Sequence, residues 1–213
     1  MPDSVPHPAA ETPVETCLRV GITGGIGSGK TTVCRMFEAL GIPVYYADER
    51  AKWLISNDET LKNGIVDLLG PEAYTAEGAY DRAYVARIVF SDAEKLKSLN
   101  ALVHPAVEAD SRRWHEAQCR AGLSYTLKEA ALMIESGSHR HLDRLIVVTA
   151  PEALRIRRVM ERDSVAEEQV RSRMAHQLPE ADKIALADFV IRNDGELPLI
   201  PQVWQIHQSL SGK

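Results

Sequence analysis

The sequence predicts an α/β fold, a five-stranded parallel sheet flanked by helices, with further helical segments inserted between strands. Three observations carry that expectation. Short apolar runs alternate with longer stretches of helical spacing. The run at Leu18, Val20 and Ile22 ends in glycines and leads into a helix with Val33, Phe37 and Leu40 on one face and Gly41 at its end. A later run, Leu145 to Thr149, is apolar throughout, as a strand covered on both faces must be.

Between the first strand and its helix lies Gly24-Gly25-Ile26-Gly27-Ser28-Gly29-Lys30-Thr31, which fits the phosphate-binding pattern G-x-x-x-x-G-K-[ST]. Glycines let backbone N–H groups wrap phosphate oxygens at close range, and the start of the following helix adds its positive dipole end. Lys30 is a point charge for β- and γ-phosphates, and Thr31 offers a hydroxyl to Mg²⁺. The candidate ATP ligands are therefore Gly25, Ile26, Gly27, Ser28, Gly29, Lys30, Thr31 and Thr32. The plain alternative is a glycine-rich connecting turn, which needs neither Lys30 nor Thr31 at this spacing.

At 213 residues and 45% hydrophobic content, the chain is long and apolar enough for one domain with a sizeable core. A net charge of −5 argues against a general nucleic-acid binder, though not against a local anion site. Cys17, Cys34 and Cys119 are odd in number and lack metal-type spacing, which predicts a reducing compartment and no disulfide framework. Residues 1–16 hold four prolines, no Lys or Arg and no apolar run, and read as a disordered tail in which His7 is solvated. With no stretch of transmembrane length, the expectation is a soluble, cytoplasmic protein with no membrane, nucleic-acid or protein partner evident.

The second strand is read as Ile42 to Ala47, closed by Asp48. Ligands of parallel sheets sit outside the carboxyl ends of the strands, so Asp48 shares an edge with the phosphate loop. It is either the N-cap of the next helix or a carboxylate facing the acceptor hydroxyl. Residues 49–123 read as helices: Glu49–Ser56, Asp58–Leu69, Asp81–Phe90, one opened by a capping box at Ser91-Asp92-Ala93-Glu94, and a long one opened by Pro105 and reaching Ala121. That is too much for one crossover, so a helical subdomain for the second substrate is expected there.

The third strand, Tyr125 to Leu132, contains Lys128 and Glu129. Glu129 is read either as a carboxylate reaching Mg²⁺ through water or as a surface charge. After the fourth strand, Pro151 opens a helix with Arg155, Arg158 and Arg162 at helical spacing. A second capping box at Ser164-Val165-Ala166-Glu167 starts a helix toward Gln177. This arginine-bearing segment reads as a mobile lid over polyphosphate, or as a solvated helical hairpin. The fifth strand, Asp188 to Ile191, leads to Asn193, which either contacts adenine or occupies a turn. The final helix runs from Ile200 to Leu210. The core is thus assigned to 17–48, 124–150 and 185–213, the inserted subdomain to about 49–123 and the lid to about 151–184, within a single domain 17–213.

At this point Leu18 to about Leu210 resembles the dephospho-CoA kinases, a family of small-molecule kinases with this phosphate loop. The stretch Val20 to Thr32 is similar to the family form nearly letter for letter, with Thr31 where Ser is common. Ala47-Asp48 matches the Asp assigned as base. Asp81-Arg82, Val89-Phe90 and His104-Pro105 match landmarks of the substrate subdomain, and Glu135-Ser136-Gly137 the Glu–x–Gly after the third strand. Arg158 to Arg162-Asp163 resembles the lid, Gln177 its end, and Ala187-Asp188 with Asn193 the last strand. Ala131-Leu132-Met133 departs from the usual Pro-Leu-Leu.

The resemblance implies ATP- and Mg²⁺-dependent phosphorylation of the ribose 3′-hydroxyl of dephospho-CoA. It implies Asp48, Lys30, Arg158 and Arg162 as catalytic residues, Asn193 as a further ATP contact, and Asp48, Arg82 and His104 as substrate ligands. Thr31, with Glu129 through water, would serve the metal. For His104 the alternative is a helix-capping or packing role, and for Arg82 a solvated helix residue. Rival readings are another small-molecule kinase acting on a nucleoside, nucleotide or sugar, and a nucleotide-dependent switch. A guanine-reading Asn-Lys-x-Asp, which a GTPase switch would need, is absent.

Overall fold

The computed structural model describes residues 17–212. The tail assigned to residues 1–16, with His7, lies outside the described residues. The first half of the chain forms β1 (Leu18–Gly24), α1 (Lys30–Ala39), β2 (Val44–Tyr46), α2 (Ala47–Asn57), α3 (Glu59–Leu69), α4 (Arg82–Ser91) and α5 (Ala93–Arg120). Then come β3 (Tyr125–Glu129), β4 (Arg144–Thr149), α6 (Glu152–Asp163), α7 (Glu167–Met174), α8 (Glu180–Ala185), β5 (Phe189–Arg192) and α9 (Leu199–Ser211).

The five strands form one parallel sheet in the order β2-β3-β1-β4-β5. Val20, Ile22, Leu127, Ile146 and Val148 are buried on one face, where Phe37 of α1 and Val203 and Ile206 of α9 cover them, while Leu145 and Val147 face the other side with Met133. The connection after β1 runs to one edge of the sheet and that after β4 to the other. A crevice therefore opens beyond the carboxyl ends of these neighbouring strands, the usual ligand position in such sheets.

Helices α2 to α5 have an apolar cluster of their own, built on Leu54, Leu61, Ile65, Leu69, Val85, Leu99, Val103 and Val107. Tyr45 of β2 belongs to this second cluster, so the edge strand joins the inserted helices to the sheet. Arg50 and Tyr45 both hydrogen-bond Asp110 Oδ2, at 2.9 and 2.7 Å, and fix α2 against α5.

Several local expectations are corrected. The second strand is shorter than Ile42 to Ala47, because the helix already begins at Ala47; Asp48 lies in the first turn of α2 rather than closing a strand. The third strand ends at Glu129, after which Ala130 N–H donates to Ile22 O and the chain turns. Pro105 lies within α5 instead of opening it. Its ring frees the carbonyl of Ala101, but buried Val103 and Val107 carry the helix through. Asp92, not Ser91, caps α5, its Oδ1 accepting from Glu94 N–H and Lys95 N–H at 3.0 and 3.1 Å. Ser164 is the left-handed C-cap of α6, so no box forms there; Gln169 Oε1 accepts from Ala166 N–H at 3.3 Å instead.

The expectation that no disulfide forms is also overturned. Cys17 and Cys119 form a disulfide across a sequence separation of 102 residues, and only Cys34, among the described cysteines, is free. The bridge ties the start of β1 to the end of α5. Neither cysteine lies near the other in sequence, so no spacing rule could pair them.

Closing so long a loop restricts the unfolded chain, which typically stabilises a fold by about 2–4 kcal/mol. Cys119→Ser is expected to lower the thermal midpoint in buffer without reductant by that equivalent. In excess dithiothreitol, wild type and variant should melt together; a difference that persists there would place the effect in packing rather than the bridge.

Candidate active site

A loop that offers backbone N–H groups to an anion must turn its carbonyls away, and those carbonyls need donors of their own. Residues Gly24 to Gly29 meet this demand from behind. Asn193 Nδ2 donates to Ser28 O at 2.8 Å, and Arg158 Nη1 reaches Gly27 O at 3.5 Å. Lys30 Nζ donates to Gly24 O at 3.0 Å, and Ser28 N–H to Gly25 O at 3.0 Å. Arg158 Nη2 also donates to Asn193 O and Oδ1, at 3.1 and 3.3 Å, linking the two braces.

The loop's shape requires glycine at two points. Gly27 and Gly29 adopt φ of +78° and +93°, and a Cβ at Gly27 would strike the Arg155 backbone, one at Gly29 the Asn193 amide. Helix α1 then begins at Lys30 with no side-chain cap on its first N–H groups. Ser28 Oγ is buried with no hydrogen-bond partner among the described residues. Narrow backbone, uncapped helix start and orphaned hydroxyl fit a bound phosphate chain. Thr31 and Thr32 are exposed at this helix start.

Lys30 is largely enclosed, and burial pulls its ammonium below the ordinary range, partly offset by the negative charges of Glu129 and Asp48. Glu129, at the end of β3, moves the other way: burial raises its carboxyl, Lys30 opposes this, and Asp48 and Glu49 add to it. Glu129 and Asp48 thus both act on the loop lysine, and Asp48 and Glu49 on Glu129. With the exposed Thr31 hydroxyl, this oxygen-rich donor set suits a hard divalent cation such as Mg²⁺.

Beside the loop, a cavity of about 470 Å³ opens between α2, α5, the end of β3 and the turn that follows it. Asp48, His104, Glu108, Lys128 and His141 supply its polar wall. Lys128 Nζ is paired with Glu108 Oε2 at 2.6 Å. Asp48 and His104 line this one cavity; Arg82 is exposed at the start of α4 and does not line it. Lys128, Glu108 and His141 were not singled out from sequence, since ordinary charged residues on a strand, a helix and a loop give no local signal.

The arginines of α6 do not share one environment. Arg155 is buried; its Nε donates to Ala150 O at 3.0 Å and its Nη2 pairs with Glu180 at 3.2 Å. Arg158 braces the phosphate loop as described. Arg162 is exposed and forms a 2.8 Å ion pair with Asp163. Asn193 likewise spends its amide on the loop and on Arg158.

Gln177 connects the two halves of the cleft. Its Oε1 accepts from Ile26 N–H at 2.8 Å, and its Nε2 makes a longer 3.4 Å contact with Ala131 O beside the cavity. Glu135 holds the neighbouring backbone, accepting from Leu178 N–H at 2.9 Å, and is itself ion-paired to Lys183 at 2.7 Å. Burial would push the Glu135 carboxyl up, but the Lys183 ammonium and the backbone N–H groups outweigh it and hold it below its usual range.

A family model described as dephospho-CoA kinase matches residues 18–198. A relative from Chlorobaculum tepidum named dephospho-CoA kinase is 43% identical over 198 residues, covering 91% of this chain and 95% of its own. One of the same name from Salinibacter ruber is 43% identical over 178 residues, covering 84% and 89%. A crystal structure of a Thermus thermophilus protein superposes with a TM-score of 0.79 at 35% identity, over 91% of this chain and 97% of its own. The dephospho-CoA kinase from Campylobacter jejuni superposes with a TM-score of 0.69 at 24% identity, over 91% and 97%, and bears on the fold alone.

Lys183 has a side chain only 1% exposed, so its removal strands the Glu135 charge. Lys183→Met is expected to destabilise the protein by about 3–5 kcal/mol at neutral pH. Because the folded Glu135 pKa is depressed from 4.5, the pair's contribution is present above that value and lost as pH falls through the folded pKa. The gap between wild type and variant in urea unfolding should therefore close in acid; a gap constant with pH would deny the pair its role.

Proposed function

From the premise that this chain belongs to the dephospho-CoA kinase family, we propose how its cleft performs the family's reaction. The chain is a phosphotransferase: it phosphorylates the ribose 3′-hydroxyl of dephospho-CoA with ATP, giving coenzyme A and ADP in the last step of coenzyme A synthesis. The observation that carries the assignment of roles is the double position of Asp48. It lines the acceptor cavity, and its charge acts on Lys30 of the phosphate loop.

In this reading Gly25 to Thr32 wrap the phosphates of ATP, with Ile26 N–H exchanging Gln177 Oε1 for a phosphate oxygen and Ser28 N–H staying on Gly25 O, and Lys30 turns from Gly24 O to the β- and γ-phosphates. Asp48 accepts the proton of the acceptor hydroxyl and aims its oxygen at the γ-phosphorus. His104 contacts the acceptor inside the cavity, and Arg82 is assigned to an acceptor phosphate that extends beyond it. Thr31 and, through water, Glu129 would hold Mg²⁺, which when bound neutralises phosphate charge.

Arg158, bonded to Gly27 O and Asn193 behind the loop, is in this reading also assigned to the transferring phosphoryl group. Arg162 joins it once the segment 151–184 closes, giving up Asp163 for phosphate. Asn193 supports the loop from behind, and this bracing is the route by which it serves ATP. The inserted helices 49–123 carry the acceptor. Among the described residues no helix is long and apolar enough to cross a membrane; the use of ATP as phosphate donor is what favours a cytoplasmic location.

An acceptor panel with ATP and Mg²⁺ tests the substrate: phosphate should pass to dephospho-CoA, and transfer to a nucleoside, nucleotide or sugar in its place would sink this reading. Asp48→Asn is expected to cut kcat by about 10²–10⁴-fold with little change in ATP affinity. Turnover at the wild-type rate would remove Asp48 from the base role. Lys30→Ala should weaken both nucleotide binding and turnover, as measured by calorimetry and initial rates.

A further inference from the structure

The Cys17–Cys119 disulfide stands in a chemical setting that the kinase reaction does not use. His115 lies one turn before Cys119 on α5, with Nε2 at 3.3 Å and Nδ1 at 3.6 Å from Cys119 Sγ. Its Nδ1 is 2.8 Å from Thr126 Oγ on β3, which orients the ring and leaves Nε2 toward the sulfur. The three side chains Cys17, His115 and Cys119 form one half-buried cluster. Cystines of reducing compartments are usually transient, catalytic or redox-sensing rather than structural.

The surroundings favour an anionic partner. A narrow cleft lined by Arg19, Arg112, His115 and Lys128 runs up to the imidazole. Glu108, Lys128 and His141 line both this cleft and the acceptor cavity, so the two adjoin. Asp143 and Glu108 offset Arg19 and Lys128 as their ion-pair partners, while exposed Arg112 and Arg120 flank the exposed acid Glu116 on the same end of α5. Resting on the reading above, the enzyme's own acceptor and product are both polyanionic thiols.

We propose that Cys17–Cys119 is a thiol–disulfide exchange site for coenzyme A-type thiols, with His115 carrying the proton. His115 takes the proton of the incoming thiol as it enters, and the resulting thiolate then attacks Cys17 Sγ in line with the Cys17–Cys119 bond. The Cys17–Cys119 bond breaks, its electron pair remains on Cys119 Sγ, and His115 returns the proton there. The products are a mixed disulfide on Cys17 and a free thiol at Cys119, with no external oxidant or reductant. Burial and the charge of Arg19 lower the His115 pKa against Asp143 and Glu116, so the ring is neutral and able to accept that proton.

The exchange changes what the disulfide holds together. Helix α5 carries His104 and Glu108 of the acceptor cavity as well as His115 and Cys119, and β1 runs directly into the phosphate loop. Opening the bridge releases the end of α5 from the start of β1. The protein's thiol product is thereby given a covalent address on the enzyme that makes it.

The test uses the full chain, purified without reductant and incubated with coenzyme A, then analysed by intact mass and peptide mapping. One coenzyme A on Cys17 is expected, formed faster than the adduct of uncharged 2-mercaptoethanol at equal concentration. His115→Gln should slow adduct formation about tenfold or more while leaving kinase turnover of the reduced protein unchanged. Survival of the disulfide in millimolar coenzyme A, an adduct confined to Cys119, or exchange by the variant at the wild-type rate would each overturn the proposal. Coenzyme A is supplied ready-made, so the outcome is independent of phosphoryl transfer, which the acceptor panel judges separately.

Discussion

The phosphate loop can present N–H groups forward only because its carbonyls are satisfied from behind. Gly24, Gly25, Gly27 and Ser28 each hand their carbonyl to a donor: Lys30, the backbone of Ser28, Arg158 and Asn193. Two of those donors come from outside the loop, on α6 and after β5. The last strand and the arginine helix are therefore structural requirements of a motif that looks self-contained. A buried carbonyl without a donor would cost about 1–3 kcal/mol, enough to favour a different loop conformation.

The same logic divides the arginines of α6. Arg155 is a buried tie to Glu180 and Ala150, Arg158 a brace of the loop, and Arg162 a surface partner of Asp163. Helical spacing put the three on one face, but one face of a helix can cross from core to cleft to solvent within three turns. Charge chemistry at each position follows from what lies opposite, which periodicity alone does not describe.

Local chemistry was legible where it is local. Gly24 to Thr31 could be read because phosphate binding demands those residue types in consecutive order, and the parallel sheet because one buried strand, Leu145 to Thr149, is apolar throughout and short apolar runs alternate with helical spacing. Asp48 was placed on the correct edge by sheet logic, although the helix starts a residue before it. Pro105 was misread because its usual position is a helix start, while the packing of Val103 and Val107 here decides the matter. The pairs Cys17–Cys119, Lys183–Glu135 and Lys128–Glu108 were illegible for a common reason: each joins segments that only the folded topology brings together.

Gln177 makes the donor and acceptor compartments share a wall. Its amide oxygen occupies an N–H of the phosphate loop, and its amide nitrogen faces a carbonyl beside the acceptor cavity. A ligand that pushes this side chain aside from either compartment alters the boundary of the other. By thermodynamic reciprocity, whatever one occupant does to its neighbour's affinity through Gln177, the neighbour does in equal measure in return. One side chain thus joins the phosphate loop to the turn beside the cavity.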